Sequence, residues 1–352
     1  MPVDTSDCFQ YFGYKDFDVS RVKSQYPDGC PVKDCSTKLV KIRYGKSDKQ
    51  FCPTHGIRLH SKTFVYWNGD EHKDEARLRN FRIRPDLACK IAMHSVGKAE
   101  SHRLGYEMSE DALTWNVFVG LATAGKLRHA VHFLTGRHID AEPSLYLWGA
   151  LIDVKGNKPE HFQPLDTIRA KLEEPDIRYF KTEPDVMLVL NKQLVICVEA
   201  KFGSGNSLTH EGKARDGHKP TDREGLLGRY LDKASAETQR IIDRDAIGEK
   251  FYSQLFRNIV FASEMANGCE WHVTNLVSKT QWKSGRDSNQ DPFLDPQASV
   301  RSYLHQDRRQ CFSFVTWEEL YRALIKDDPA LRLLNNYVCS KSAHYLRAFD
   351  LD

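Results

Sequence analysis

The sequence predicts an α/β protein that also carries a small N-terminal β module. Three observations predict it. Within "TEPDVMLVLNKQLVICVEAKFGSG", Thr182 to Gly205, two apolar runs flank three polar residues and read as an antiparallel hairpin. From Ser109 onward the segments read in the order helix, strand, strand, strand, helix, strand, an alternation that builds one sheet with helices on its faces. Near the N-terminus, Cys30, Cys35 and Cys52 lie among short β-like runs such as "TKLVKIRYG" and "KTFVYWN".

Composition sets the outer bounds. At 352 residues the chain is long enough for two units. With 40% hydrophobic and 28% charged residues it reads as a soluble globular protein. No stretch approaches the roughly 18 apolar residues of a membrane helix. The N-terminus "MPVDTSDCFQYFGYKD" has neither a basic nor an apolar leader segment, so a cytoplasmic location without membrane attachment is expected. A net charge of +3 neither demands nor excludes nucleic acid. Nine cysteines argue against a disulfide framework and for testing metal-ligand spacing.

The division expected is a cysteine-bearing module over 1–68, a charged helical connector over 69–108 broken at Pro85, and an α/β domain over 109–352. In that domain Ser109 is a good N-cap, Glu110 and Asp111 suit the first turn of the helix it opens, and Gly125 closes it. "SLYLWGALIDV" (Ser144–Val154) reads as a strand, and the hairpin adds two more. "RYLDKASAETQRIIDRDAI" and "KFYSQLFRNIVFASEMANG" read as helices, "EWHVTNLVS" and "CFSFVTW" as strands, and "EELYRALIKDDP" as a final helix. Gly203 to Gly228 has no period and reads as a long loop, as does "SGRDSNQDPFLDPQAS".

A three-residue turn at Asn191–Gln193 pairs Leu190 with Leu194 and, counting outward, Asp185 with Glu199. Period-two alternation then puts Asp185, Glu199 and Lys201 on one face, with Val186, Leu188, Ile196 and Val198 on the other. A two-residue turn would shift this pairing by one position. Opposed carboxylates repel unless a positive group lies between them, and hard oxygen ligands suit Mg²⁺. Lys201 would reach the same place and serve a water or a phosphoryl group.

Pro184-Asp185, followed across the hairpin by Glu199-Ala200-Lys201, resembles the PD-(D/E)xK signature of the restriction-endonuclease-like nucleases. The resemblance implies an αβββαβ core, with a central mixed sheet flanked by helices. It also implies that Asp185 and Glu199 bind Mg²⁺ (or Mn²⁺), joined by the Ala200 carbonyl, and that Lys201 serves the attacking water. The implied reaction is phosphodiester hydrolysis leaving 5′-phosphate and 3′-hydroxyl ends. Related families add a carboxylate from the helix before the sheet, for which Glu110 is the candidate and Asp111 its rival. Ordinary helix-dipole chemistry explains the same pair. Gln254 and Arg257, and Lys213 and Arg215 in the long loop, are candidate nucleic-acid contacts, although acidic neighbours dilute the loop's charge.

Cys30-x4-Cys35 and Cys52-x2-His55 offer four ligands in two close pairs, the pattern of a closed structural Zn²⁺ site, with His60 as an alternative to His55. So small a module would owe its folding to the metal. His129, His132 and His138 lack a completing Cys or carboxylate pair and read as a helix end.

Together these features point to a metal-dependent endonuclease acting on DNA, expected to be double-stranded, in restriction or phage defence, with a homodimer as the candidate assembly. Two other classes remain: a nucleic-acid-binding protein that has lost turnover, and a zinc-ribbon adaptor on a nuclease-like scaffold.

Overall fold

The computed structural model of the chain describes residues 29–44, 47–59, 64–67, 73–92, 102–154, 160–174, 182–202, 206, 209–210, 226–247, 250–279, 296–342, 349 and 351. They belong to two compact units, one drawn from residues 1–124, 278–283 and 317–352, the other from 125–277 and 284–316.

The first unit opens with a four-stranded antiparallel sheet in chain order: β1 (Val40–Tyr44), β2 (Ser47–Cys52), β3 (Ile57–Leu59) and β4 (Phe64–Tyr66). The turn between β2 and β3 ends at Gly56, whose φ of 57° favours glycine. Its core is small: Val32, Ile57, Leu59, Phe64, Tyr66 and Ala76 pack with Cys30 and Cys52. Two short helices follow, α1 (Lys73–Leu78) and α2 (Pro85–Ile91), on either side of the break expected at Pro85.

Helix α3 (Glu110–Thr123) begins where Ser109 Oγ accepts the Ala112 N–H at 3.2 Å. Every residue from Ala112 to Leu121 is buried, so its one amide must be satisfied from within. Asn116 makes four bonds: its Oδ1 accepts from Arg82 and Ile83 N–H, and its Nδ2 donates to the Asn80 and Ala112 carbonyls. At Gly120 an added Cβ would lie 3.0 Å from Leu334 Cδ2, which fixes the close approach of helix Arg332–Ser342. Helix Trp317–Leu320 runs on into a π-helical turn, Tyr321–Ile325.

The second unit holds helix α4 (Leu127–Thr135) and a six-stranded mixed sheet. Its strands are β5 (Ser144–Leu147), β6 (Ala150–Leu151), β7 (Val186–Leu190), β8 (Leu194–Lys201), β11 (Glu270–Val277) and β12 (Phe312–Thr316). A small separate ladder pairs β9 (Thr209–His210) with β10 (Lys250–Phe251). The large sheet has the order β12-β11-β8-β7-β5-β6, parallel across β12-β11-β8 and antiparallel beyond. The single strand expected over Ser144–Val154 is a hairpin instead. Trp148 and Gly149 turn it, with φ of 51° and 76°.

Between the strands lie α5 (Gln163–Lys171), α6 (Leu226–Lys233), α7 (Ala236–Ile241), α8 (Ser253–Ala266) and α9 (Pro296–Ser302). The long helical segment expected from Arg229 breaks into α6 and α7, because Ser235 Oγ accepts the Thr238 N–H and starts a new helix. Helix α8 carries the chain from β8 to its parallel neighbour β11, as a parallel pair requires. Its apolar side packs on Met187, Val195, Cys197, Trp271 and Val273, one face of the sheet. On the other face Thr274 and Ser313 hydroxyls donate to the Leu134 carbonyl of α4. Covered on both sides, β8 is buried along its whole length.

Candidate functional site

The hairpin turn is the three-residue one, Asn191–Gln193, with Lys192 in the left-handed region at φ 55°. Leu190 therefore faces Leu194 and Val186 faces Val198. One step further out Asp185 stands opposite Glu199, and its Oδ2 accepts the Ala200 N–H at 2.9 Å. The side chain thus continues the ladder where the backbone of β7 leaves it.

Glu199 and Lys201 share the face of β8 that α8 covers, since they keep the parity of Val195 and Cys197. Both are buried, at 4% and 7% exposure, which is costly for charges unless they are paired. Lys201 Nζ lies 2.6 Å from Glu199 Oε1, and Asn258 Nδ2 of α8 donates to Glu199 Oε2 at 2.8 Å. Each oxygen of the carboxylate has a donor, and the group is held in one orientation.

The approach to Asp185 is also held. Thr182 donates through its N–H and its hydroxyl to Glu174, a fully buried carboxylate to which the Tyr230 hydroxyl also donates. Burial, followed by the charge of Glu174, pushes the Tyr230 phenol well above its ordinary range. Arg169 donates to the Thr182 carbonyl through Nε and Nη2, at 2.9 and 2.6 Å. Arg257 is buried on α8, donating to the Ser253 carbonyl and to Thr182 Oγ1, while Gln254 is half-buried one turn before Asn258.

Sequence reasoning grouped Asp185, Glu199 and Lys201; the structure pairs Glu199 with Lys201 and bonds Asp185 to the N–H of the intervening Ala200. That reasoning missed Asn258, the Glu174–Thr182–Tyr230 group, and Asn275 of β11, which is in register beside Glu199. A signal existed for the two asparagines: each stands directly before an apolar run, Ile259–Ala262 and Leu276–Val277. Glu110 heads α3 in the first unit, with Asp111 beside it in the first turn. Lys213, Arg215 and His60 lie outside the described residues.

Two carboxylates and a nearby backbone offer hard oxygen donors in number suited to Mg²⁺ or Mn²⁺, which keep several waters. The residues present fit such an ion.

The cysteine module forms a second cluster. Cys30, Cys35, Cys52 and His55 place their ligand atoms within 4.8 Å of one another. Cys30 Sγ lies 3.4 Å from His55 Nδ1, Cys52 Sγ 3.6 Å from His55 Nδ1 and Cys35 Sγ 3.9 Å from Cys52 Sγ. A tetrahedron with Zn–S and Zn–N bonds of ordinary length has edges of about 3.8 Å between sulfurs and about 3.6 Å from sulfur to nitrogen. These three separations are close to such edges, and the clustering of all four atoms fits a closed zinc site. Arg79 braces it, donating to the His55 and Gly56 carbonyls while its guanidinium stacks 4.7 Å from the Tyr66 ring. Burial, with help from Arg79, lowers the His55 pKa, which keeps the imidazole neutral as a ligand must be. His132 and His138 stack on each other at 4.0 Å at the end of α4, and no other cluster of three or more His, Cys, Asp or Glu ligands occurs among the described residues.

No helix among the described residues is long and apolar enough to cross a membrane. No curated protein and no solved structure matches the chain. A family model does match, over residues 162–344, more than half of the chain and including all three hairpin residues. The chain belongs to that family, described as "Restriction Endonuclease associating with ARP".

Proposed function

We propose that the protein is a Mg²⁺-dependent endonuclease that hydrolyses phosphodiester bonds of DNA to 5′-phosphate and 3′-hydroxyl ends, in restriction or defence. The observation that carries the reading is the hairpin margin: Asp185 bound to the Ala200 N–H, beside a Glu199–Lys201 pair buried at the end of β8. A bound divalent ion would supply a water of lowered pKa and neutralise phosphate charge. Asp185 and Glu199 would hold it, with the Ala200 carbonyl in support. Lys201 pairs with Glu199 in the buried site and would present an ammonium to the attacking water or to a phosphate oxygen. Asn258 fixes Glu199 from the helix side.

Glu110, or Asp111 beside it, enters this proposal on the resemblance alone. The zinc-loaded state of the Cys30, Cys35, Cys52 and His55 module is proposed on its ligand spacing and clustering, and its part would be to hold its small sheet together. Double-stranded substrate and a homodimer belong to the same reading, since cutting both strands needs two sites.

The test is cleavage of supercoiled plasmid with Mg²⁺ or Mn²⁺, comparing wild type with Lys201→Ala, Asp185→Asn and Glu110→Gln. The expected result is cutting by wild type and loss of at least about 100-fold in the first two, the size expected when a transition-state group is removed. Variants as fast as wild type would overturn the assignment. Duplex binding without cleavage by wild type under either metal would favour a nucleic-acid-binding protein without turnover.

A further inference from the structure

We propose that Asn275 is a substrate-binding residue of this site, its side-chain N–H donating to a non-bridging oxygen of the scissile phosphate. This inference rests on the nuclease reading above and adds a residue that the hairpin motif does not contain.

The argument begins with register. Strand β11 runs parallel to β8, with Asn275 opposite Glu199 and Val277 opposite Lys201. Paired residues on adjacent strands share a face and stand about 4.8 Å apart along the hydrogen-bonding direction. Asn275 keeps the parity of Trp271 and Val273, which pack under α8, so it lies on the same face as Glu199 and Lys201. It is therefore a lateral neighbour of the carboxylate at the carboxyl ends of two parallel strands. In open α/β sheets, ligands bind at such strand ends.

The second observation is what the amide does there. Asn275 is fully buried, yet among the described residues the one hydrogen bond of its side chain is through Oδ1, which accepts from Asn206 Nδ2 at 3.0 Å. Among the described residues its Nδ2 has no partner, and neither has Asn206 Oδ1. Buried side-chain amides are nearly always satisfied. The contrast with Asn116, which makes all four of its bonds, shows that this fold can satisfy a buried amide where it serves structure alone.

An unused N–H beside a carboxylate that already has two donors calls for an acceptor from outside the chain. In a site that brings a phosphodiester against Glu199 and Lys201, a phosphoryl oxygen is that acceptor. The donor is fixed before substrate arrives, so it supports negative charge that grows on that oxygen during attack.

The experiment measures kcat and KM for plasmid cleavage in Asn275→Ala, Asn275→Asp and Asn206→Ala, with Lys201→Ala as the control and urea unfolding as the fold check. Asn275→Asp keeps the shape and removes the N–H. Both Asn275 variants are expected to lose on the order of 100-fold in kcat, with KM little changed and unfolding midpoints close to wild type. Asn206→Ala is expected to lose far less. Equal losses in Asn275→Ala and Asn206→Ala would mean that the pair only anchors the chain and would overturn the inference. So would Asn275 variants with wild-type kcat while Lys201→Ala is inactive. If Lys201→Ala cuts as fast as wild type, or wild type does not cut, the nuclease assignment itself fails and this inference falls with it.

Discussion

Replacing Asn258 tests how Glu199 is held. The carboxylate is 4% exposed and Asn258 3%, so when the donor goes, bulk water has little access to take its place. In Asn258→Leu, Glu199 Oε2 loses its 2.8 Å bond while Oε1 keeps Lys201 at 2.6 Å. A hydrogen bond to a buried charge is worth about 1.5–3 kcal/mol net, so unfolding stability should fall by an amount in that range. The carboxylate, now tethered on one side, can swing toward Lys201 and away from the position that faces Asp185. Groups that orient a metal ligand typically carry 10- to 100-fold in metal affinity or activity. The expected signature in the plasmid assay is a half-saturating Mg²⁺ concentration raised about 10- to 100-fold, with much of the rate recovered at high Mg²⁺. Asn258→Ala should behave alike, with a smaller loss if water enters the vacated space. An unchanged Mg²⁺ dependence in both variants would refute the reasoning, because it would mean that Lys201 alone positions the carboxylate.

Two further outcomes concern the rest of the molecule. Metal analysis of the purified protein should find one equivalent of Zn²⁺, reduced to less than about half in Cys52→Ser, because four ligand atoms of the right kinds already cluster within 4.8 Å; a wild type below half an equivalent would sink the assignment. His272, buried on β11 and bonded to Ser313, has its pKa lowered from 6.5 to about 3, by burial first and then by Arg137 and Arg301. Below pH 6.5 the unfolded chain takes a proton that the folded chain refuses, so this contribution is complete above 6.5 and lost as pH falls toward 3. The loss reaches up to about 2 kcal/mol at pH 5. Urea midpoints at pH 7 and pH 5 should therefore diverge less in His272→Gln than in wild type, and equal divergence would refute the role.

The hairpin was legible because its information is local and over-determined. Two apolar runs separated by a countable turn fix the register, and a slip of one residue would turn Asp185, Glu199 and Lys201 to the wrong face. The Cys and His pairs were legible for a related reason, since ligand spacing is written directly along the chain. Elements that depend on tertiary support were not. Helices α5 and α9 are 9 and 7 residues long, too short to show a decisive period or to hold themselves without packing. The bend at Trp148 was hidden because tryptophan is a poor turn signal, and its left-handed backbone is imposed by the surrounding fold. Asn258 and Asn275 were missed because their meaning lies across space, on a helix and a strand that reach Glu199 only after folding.

Stability offers no reason for the polar set around Glu199. Isolating an ion pair in a sheet core carries a desolvation cost that close contact offsets only when every remaining donor and acceptor is used, and apolar residues of similar size often serve a fold as well or better. Here Val195 and Cys197 show what the same strand face does two and four residues earlier: it packs under α8 with no charge at all. The change from apolar to ionic occurs within one alternation, at the carboxyl end of β8, where β7 also ends its pairing and Asp185 reaches across to the Ala200 N–H. A sheet that needed only to close its core would have continued with valine. The chain instead supplies Asn258 to one oxygen, Lys201 to the other, and leaves an amide N–H on Asn275 unspent alongside. An arrangement held this firmly, with a donor to spare, meets the physical condition for the preorganised site proposed above.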